Sequence, residues 1–239
     1  MAKVLKNAGG YRILAIMAGL DGENPLQLIE LVGRTAYQSR DKITDDSAAK
    51  FVKMLRDRGH ESVLEHSAMT VEFNNVSRGF THELVRHRLM AITQESTRYV
   101  DESDFKVVIP PDKDPNEKLV ELEITDKIGI VPQIYQFKIS FQEWMDLNEQ
   151  MYRGLRKAGW VPEDARQVLP TAIKSQIVIT ANFREWRHIF KLRCDKRVHW
   201  EIRQIMVNLL KDVQKIIPVI FDDFEISADG QSAKLKAPQ

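Results

Sequence analysis

Apolar and polar residues repeat with two different periods along this chain, and the switches between them predict where helices and strands lie. The short apolar run Ile13 to Ala18 reads as part of a strand. Asn24 followed by Pro25 has the form of a helix cap with proline at the first helical position, opening a helix to about Ser39. A second helix begins near Thr44 to Asp46, sets Ala48, Phe51, Val52 and Leu55 on one face, and stops at Gly59. Residues 68–74, AMTVEFN, alternate as a strand with one buried face does. Ser77 then caps a predicted helix carrying Phe80, Leu84 and the triplet Arg86, His87, Arg88. A short strand is expected around Phe105 to Ile109, followed by an exposed excursion over the charged, proline-rich residues 110–128. From Gln133 to Lys157, the positions Ile134, Phe137, Phe141, Trp144, Leu147, Met151 and Leu155 predict one long helix with its stripe in the core. Pro162, Glu163 and Asp164 start a short helix that Pro170 ends, SQIVITAN (175–182) is strand-like, and Arg184 to Arg193 is helical. Ile202, Ile205, Met206, Leu209, Val213 and Ile216 mark a last helix closed by Pro218. Helices thus interleave with a few strands at unequal spacing, without regular βαβ units. The expectation is an α+β fold, helices packed on a small central sheet, with a single domain over residues 1–227 and a loose tail over 228–239.

Composition narrows the function. A chain of 239 residues can bury a sizeable core without crosslinks, and 43% hydrophobic with 29% charged residues is the balance of a soluble globular protein. No apolar run approaches the length that spans a bilayer and no signal-peptide pattern opens the chain, so a cytoplasmic location is expected. Lys+Arg number 35 against Asp+Glu 34, a net charge of +1. Any anion site is therefore local, which argues against a nucleic-acid-binding regulator. Cys194 is the sole cysteine, which rules out an intrachain disulfide and cysteine-based zinc clusters. Its neighbours Arg193 and Lys196 suit a lowered thiol pKa, although an inert structural role is the commoner state of a free cysteine.

Three segments concentrate the chemistry. Residues 86–98, RHRLMAITQESTR, hold three arginines, a histidine and a serine, the donors that grip phosphate or carboxylate oxygens. On a helix, Arg86 and Arg88 would point about 200° apart, so each needs its own partner: two charged ligands side by side, or a subunit boundary. GHESVLEH, 59–66, offers His60, Glu65 and His66, but at no zinc-site spacing, so a polar loop is favoured over a metal-dependent nucleotide hydrolase. Between Arg184 and Arg203, seven Lys/Arg face three Asp/Glu, a local charge of +4, with Trp186, Ile189 and Phe190 as the apolar side. There is no GxGxxG after a strand and no GxxxxGK[ST], so any nucleotide is held by side chains and helix ends.

Taken together these segments resemble the flavin-dependent thymidylate synthases, the ThyX type. The family's hallmark of Arg-His-Arg, seven residues, then Ser is matched by Arg86, His87, Arg88 and Ser96. GHESVLEH before it, STRY at 96–99, DARQVLP with Arg166, and NFREWRHIFKLR follow in the family's order over about half of the chain. The resemblance implies transfer of a one-carbon unit from methylenetetrahydrofolate to C5 of dUMP, with FAD reduced by NADPH, no metal, and a homotetramer whose active sites lie between subunits. It implies that Glu83, Arg86, Gln94, Glu95, Ser96, Arg98, Arg166 and Arg193 hold dUMP. It implies likewise that His60, Ser62, Arg86, His87, Arg88, Gln94, Asn182, Arg184 and His188 hold FAD. Arg193 is the implied catalytic group: a fixed positive charge beside the uracil stabilises ionised N3 and pushes electron density toward C5. Cys194 need not then be a nucleophile, and Ser96 is a binding group. Two positions depart from the pattern: Glu83 stands where some members carry glutamine, and Arg197 where relatives carry histidine.

Overall fold

A computed structural model describes residues 1–7, 9–20, 24–126 and 133–236. The chain opens with strands β1 (Lys3–Lys6) and β2 (Gly10–Ile16), then helices α1 (Pro25–Tyr37) and α2 (Ser47–Asp57). At the head of α1 the Asn24 side chain accepts the N–H groups of Leu26 and Gln27, while Gln27 returns its side-chain oxygen to the Asn24 N–H, so two orphan helix donors are met reciprocally. Gly33 lets α1 lie close on α2, since a Cβ there would stand 2.8 Å from the Phe51 ring. Beyond α2 the chain turns at Gly59, whose φ of +73° suits glycine. A 3-10 stretch, Glu61–His66, leads into β3 (Ala68–Ser77), α3 (Arg78–Leu84) and β4 (Met90–Gln94). There follow β5 (Lys106–Ile109), β6 (Val120–Asp126), β7 (Gln133–Ile139), α4 (Phe141–Lys157) and α5 (Pro162–Ala165). The last elements are β8 (Lys174–Asn182), α6 (Phe183–Arg193), α7 (Trp200–Ile216), α8 (Pro218–Phe221), β9 (Phe224–Ile226) and β10 (Ala233–Leu235).

These elements fall into two compact units. The first holds the described residues of 1–8, 77–79 and 95–175. Its β1 and β5 pair in parallel from Lys3 against Lys106 to Lys6 against Ile109, and β6 and β7 form an antiparallel ribbon. Its core is small: Ala2, Phe105, Val107, Met145, Tyr152, Ala165 and Ile173. The second unit takes the described residues of 9–76, 80–94 and 176–239. A four-stranded sheet of order β2-β3-β8-β4 runs through it, with β2–β3 and β4–β8 antiparallel. Phe73, Phe80, Phe183, Trp186, Phe190 and Phe221 are fully buried there, each worth about 1.5–3 kcal/mol in area removed from water. The fold is thus mixed helix and strand with several small sheets.

Four local expectations are corrected. Residues 133–139 are strand rather than helix: QIYQFKI alternates, and it pairs along its length with VELEITD, 120–126, inside the expected excursion. Helix α4 starts only at Phe141, where Ser140 Oγ accepts the Glu143 N–H at 3.2 Å and Glu143 Oε2 accepts the Ser140 N–H at 2.7 Å. The stripe expected in the core is exposed, at 51% for Trp144, 49% for Leu147 and 56% for Met151, and α4 buries Met145, Glu149 and Tyr152 instead. Helix α3 ends at Leu84, so the arginine triplet is not helical. Finally, the segment beyond Ala228 closes a hairpin, Ala233 against Ile226 to Leu235 against Phe224, and residues 237–239 lie outside the described residues.

Candidate functional site

In the second unit the triplet occupies the turn between α3 and β4, and irregular backbone releases its side chains from helical spacing. His87 turns inward, 4% exposed, while Arg86 and Arg88 stay exposed. Helix α6 ends at Arg193 against that turn. Arg193 Nε donates to His87 Nε2 at 3.0 Å, Nη1 to Glu83 Oε2 at 2.8 Å, and Nη2 to the Glu83 carbonyl at 2.7 Å. The guanidinium is therefore fixed in plane and direction, with two of its five N–H groups outside these bonds.

Behind His87 lies Glu185, 6% exposed, whose Oε1 is 3.4 Å from His87 Nδ1. Asn182 caps α6 by accepting the Glu185 N–H at 2.9 Å, but the reciprocal half of a capping box does not form, and the carboxylate faces His87 instead. Burial, with the nearby Arg193 and His188, pushes the His87 imidazole down to about 4, so the ring is neutral near pH 7. Burial pushes the Glu185 carboxyl up from its ordinary range. Because Arg193 donates to Nε2, the single ring proton sits on Nδ1, toward the carboxylate. One ligand atom each from His87, Glu185 and His188 lies within 4.8 Å of the others, a metal-compatible spacing. The trio is a chain of close approaches: one His87 nitrogen is taken by Arg193, and the other faces the Glu185 carboxylate at 3.4 Å.

A cavity of about 940 Å³ opens beside this chain, with Arg88, Asn182, Arg184, His188 and Lys191 in its walls. A smaller one of about 300 Å³ is lined by Arg86, His87, Arg88, His188 and Arg193. Arg184 pairs with Glu65 at 2.5 Å. Arg187 of the same helix is buried and structural, clamped by Asp223 at 2.7 Å and Glu61 at 2.9 Å. His60 and Ser62 are exposed and outside the cavity walls, and His60 Nδ1 shares a 2.9 Å hydrogen bond with the Tyr37 hydroxyl. Gln94 donates to the Thr81 hydroxyl at 2.8 Å.

The remaining polar residues belong to the first unit. Ser96 Oγ accepts the Arg98 N–H at 3.2 Å, and Arg98 Nε pairs with Glu163 at 2.5 Å. Arg166 is exposed just after α5. Glu95 accepts from Lys174 at 3.0 Å, and its carbonyl accepts from Arg78 at 3.1 Å. Close by in charge terms is Glu102, 7% exposed, with Oε1 buried and without a hydrogen-bond partner; burial, reinforced by Glu95, pushes this carboxyl up to about 7.

Residues 19–219 match the profile of the family described as thymidylate synthase complementing protein. The chain belongs to the flavin-dependent thymidylate synthases. The flavin-dependent thymidylate synthase of Mycobacterium leprae strain Br4923 is 34% identical over 218 residues, 87% of this chain and 83% of that protein. That of Mycolicibacterium vanbaalenii is 36% identical over 214 residues, covering 88% and 84%. In fold, the chain is similar to the UMP/dUMP methylase PolB from Streptomyces cacaoi bound with 5-Br dUMP: TM-score 0.68, 18% identity, 92% of this chain and 95% of the other. It is similar also to Thymidylate Synthase X from Helicobacter pylori with FAD and dUMP: TM-score 0.63, 17% identity, 90% and 98% covered.

Within this family frame, the second unit brings together Glu83, Arg86, His87, Arg88, Asn182, Arg184, His188 and Arg193, from α3, the turn after it, and α6. Glu95, Ser96, Arg98 and Arg166 lie in the first unit, and among the described residues no hydrogen bond or ion pair joins Arg166 to the other three. Glu83, a departure from the family pattern, is the carboxylate that pairs with Arg193. Arg197, the other departure, is exposed and pairs with Asp195 at 2.9 Å. Cys194 is fully buried and burial pushes its thiol up, the opposite of an activated cysteine. Sequence reasoning missed Glu185 and Lys191. The spacing of Asn182 and Glu185 marks a helix cap, and nothing in it signals a carboxylate turned toward a histidine 98 positions earlier in the chain.

Proposed function

We propose that this chain converts dUMP to dTMP, taking the one-carbon unit of methylenetetrahydrofolate, in de novo dTMP synthesis. FAD, reduced by NADPH, supplies the hydride. The larger cavity suits a flavin dinucleotide in size, and its exposed Arg88 and Lys191 offer charge to a diphosphate, beside the carboxylates Glu61, Glu65 and Glu185 in the same walls. Arg88, Asn182, Arg184 and His188 hold FAD there, with Arg86, His87, Gln94, His60 and Ser62 assigned to it from the family pattern. Arg86, Gln94, Glu95, Ser96, Arg98 and Arg166 bind dUMP, with the arginines and the serine on its phosphate and Glu83 beside Arg193. Methylenetetrahydrofolate and NADPH are the further ligands, and homotetramer formation in the cytoplasm completes the reading. In a tetramer, neighbouring chains can share the walls that three ligands need.

The observation that carries the mechanism is the clamped Arg193. Its charge needs no reorganisation when negative charge develops on the pyrimidine, because His87 and Glu83 hold it in place beforehand. Two measurements test the reading together. Purified protein is expected to be yellow, and to release tritium from dUMP labelled at C5. Colourless protein that neither takes up added FAD nor releases tritium overturns it.

A further inference from the structure

We infer that Glu185 is a positioning residue for the reaction, holding Arg193 in register through His87. The inference rests on the reading of Arg193 as the group beside the pyrimidine. A neutral imidazole has two tautomers, and only the one with hydrogen on Nδ1 leaves Nε2 free to accept from Arg193. Arg193 selects that tautomer from the Nε2 side, and an acceptor on the Nδ1 side is needed to hold it there. The Glu185 oxygen 3.4 Å from Nδ1 does so, since a carboxylate accepts and cannot donate. With hydrogen on Nε2 instead, two N–H groups would meet head to head and Arg193 Nε would lose its 3.0 Å bond.

The surroundings support a dedicated arrangement. Glu185 and His87 are 6% and 4% exposed, with Glu185 at the edge of both cavities and His87 at the edge of the smaller one. Glu185 and Arg193 lie on the same helix, eight residues apart, and the Asn182 cap anchors the first turn of that helix. The carboxylate forgoes the capping role its spacing offers, and it forms no ion pair with the nearby arginines: Arg184 goes to Glu65 and Arg187 to Glu61 and Asp223. A buried carboxylate is costly to keep, and the nearby His188 offsets part of that cost.

Four variants of the full chain, purified with FAD, test this. Glu185→Leu removes the acceptor, and Glu185→Asp keeps the charge but draws the oxygen back. Both are expected to retain flavin and to keep KM for dUMP within about two-fold, while kcat falls on the order of 10- to 100-fold, as a displaced catalytic group requires. Glu185→Gln still presents an oxygen to Nδ1–H and is expected to keep kcat within about three-fold of wild type. Nitrogen-15 NMR of histidine-labelled protein gives a readout independent of turnover: His87 is expected as the Nδ1–H tautomer in wild type and Glu185→Gln, and as Nε2–H in Glu185→Leu. Equal losses in the Gln and Leu variants, wild-type kcat in the Leu and Asp variants, or an unchanged tautomer in Glu185→Leu each overturn the inference. Arg193→Ala separates the two failures. Unchanged turnover there overturns the reading of Arg193 itself, whereas lost turnover there with wild-type kcat in Glu185→Leu overturns only the role of Glu185.

Discussion

Arg193 makes its three side-chain bonds to two residues, and that fixes what its removal should do. Arg193→Ala is expected to keep bound flavin, because Arg193 is absent from the walls of the larger cavity, and to lose about 3–4 kcal/mol of transition-state stabilisation. Flavin absorbance and tritium release from the same preparation check the two halves of that statement. Glu102 makes a prediction of the opposite kind, about stability rather than turnover. Its carboxyl is pushed from an ordinary 4.5 up to about 7, chiefly by burial. Between those values the folded chain keeps a proton that the unfolded chain releases, so the stability associated with the neutral group is present below about pH 4.5 and is lost as pH rises through 7. Glu102→Gln imitates the neutral form. Its unfolding free energy should equal wild type near pH 4 and exceed it at pH 8, by on the order of 3 kcal/mol. A gain of the same size at both pH values would show that ionisation is not the cause.

At the scale of elements, local chemistry decides boundaries. The Asn24–Pro25 start of α1, the buried face of α2 and the alternation of β3 were all legible, since each depends on contacts a few residues apart. The failure at residues 133–139 is instructive: apolar residues at 134, 137 and 141 mimic a helical stripe, but the two periods coincide over so short a run. Ser140 with Glu143 carried the true boundary, a capping box in plain sight. Ser140→Ala is expected to destabilise the chain by about 1 kcal/mol in denaturant titration, through loss of the cap at the head of α4. No change in midpoint would mean that the ribbon β6–β7, and not the cap, sets where α4 begins. The arginine triplet shows the same lesson in reverse. A helix would have scattered Arg86 and Arg88 around its axis, and ending α3 at Leu84 lets His87 turn inward between its two exposed neighbours.

At the scale of the whole molecule, the proposed reading has the active site completed by other copies of the chain. Sedimentation of the flavin-loaded protein is expected to give four times the 27.6 kDa of one chain. An active species sedimenting as one chain would remove the shared-site reading while leaving the family assignment intact. Among the described residues, no helix is long and apolar enough to cross a membrane. The order of motifs, from GHESVLEH through the triplet and Ser96 to NFREWRHIFKLR, was enough to name the family, because covalent spacing between chemical groups is a property of the sequence itself. Composition likewise pointed to a local anion site, since Lys+Arg 35 and Asp+Glu 34 nearly balance over the whole chain. Tertiary structure alone decided that Glu83 and His87 clamp Arg193, that Glu185 stands behind His87, and that Cys194 is sealed in the core. Those pairings join residues about a hundred positions apart, where sequence period carries no information and only the packing of α6 beside the turn after α3 sets the distance.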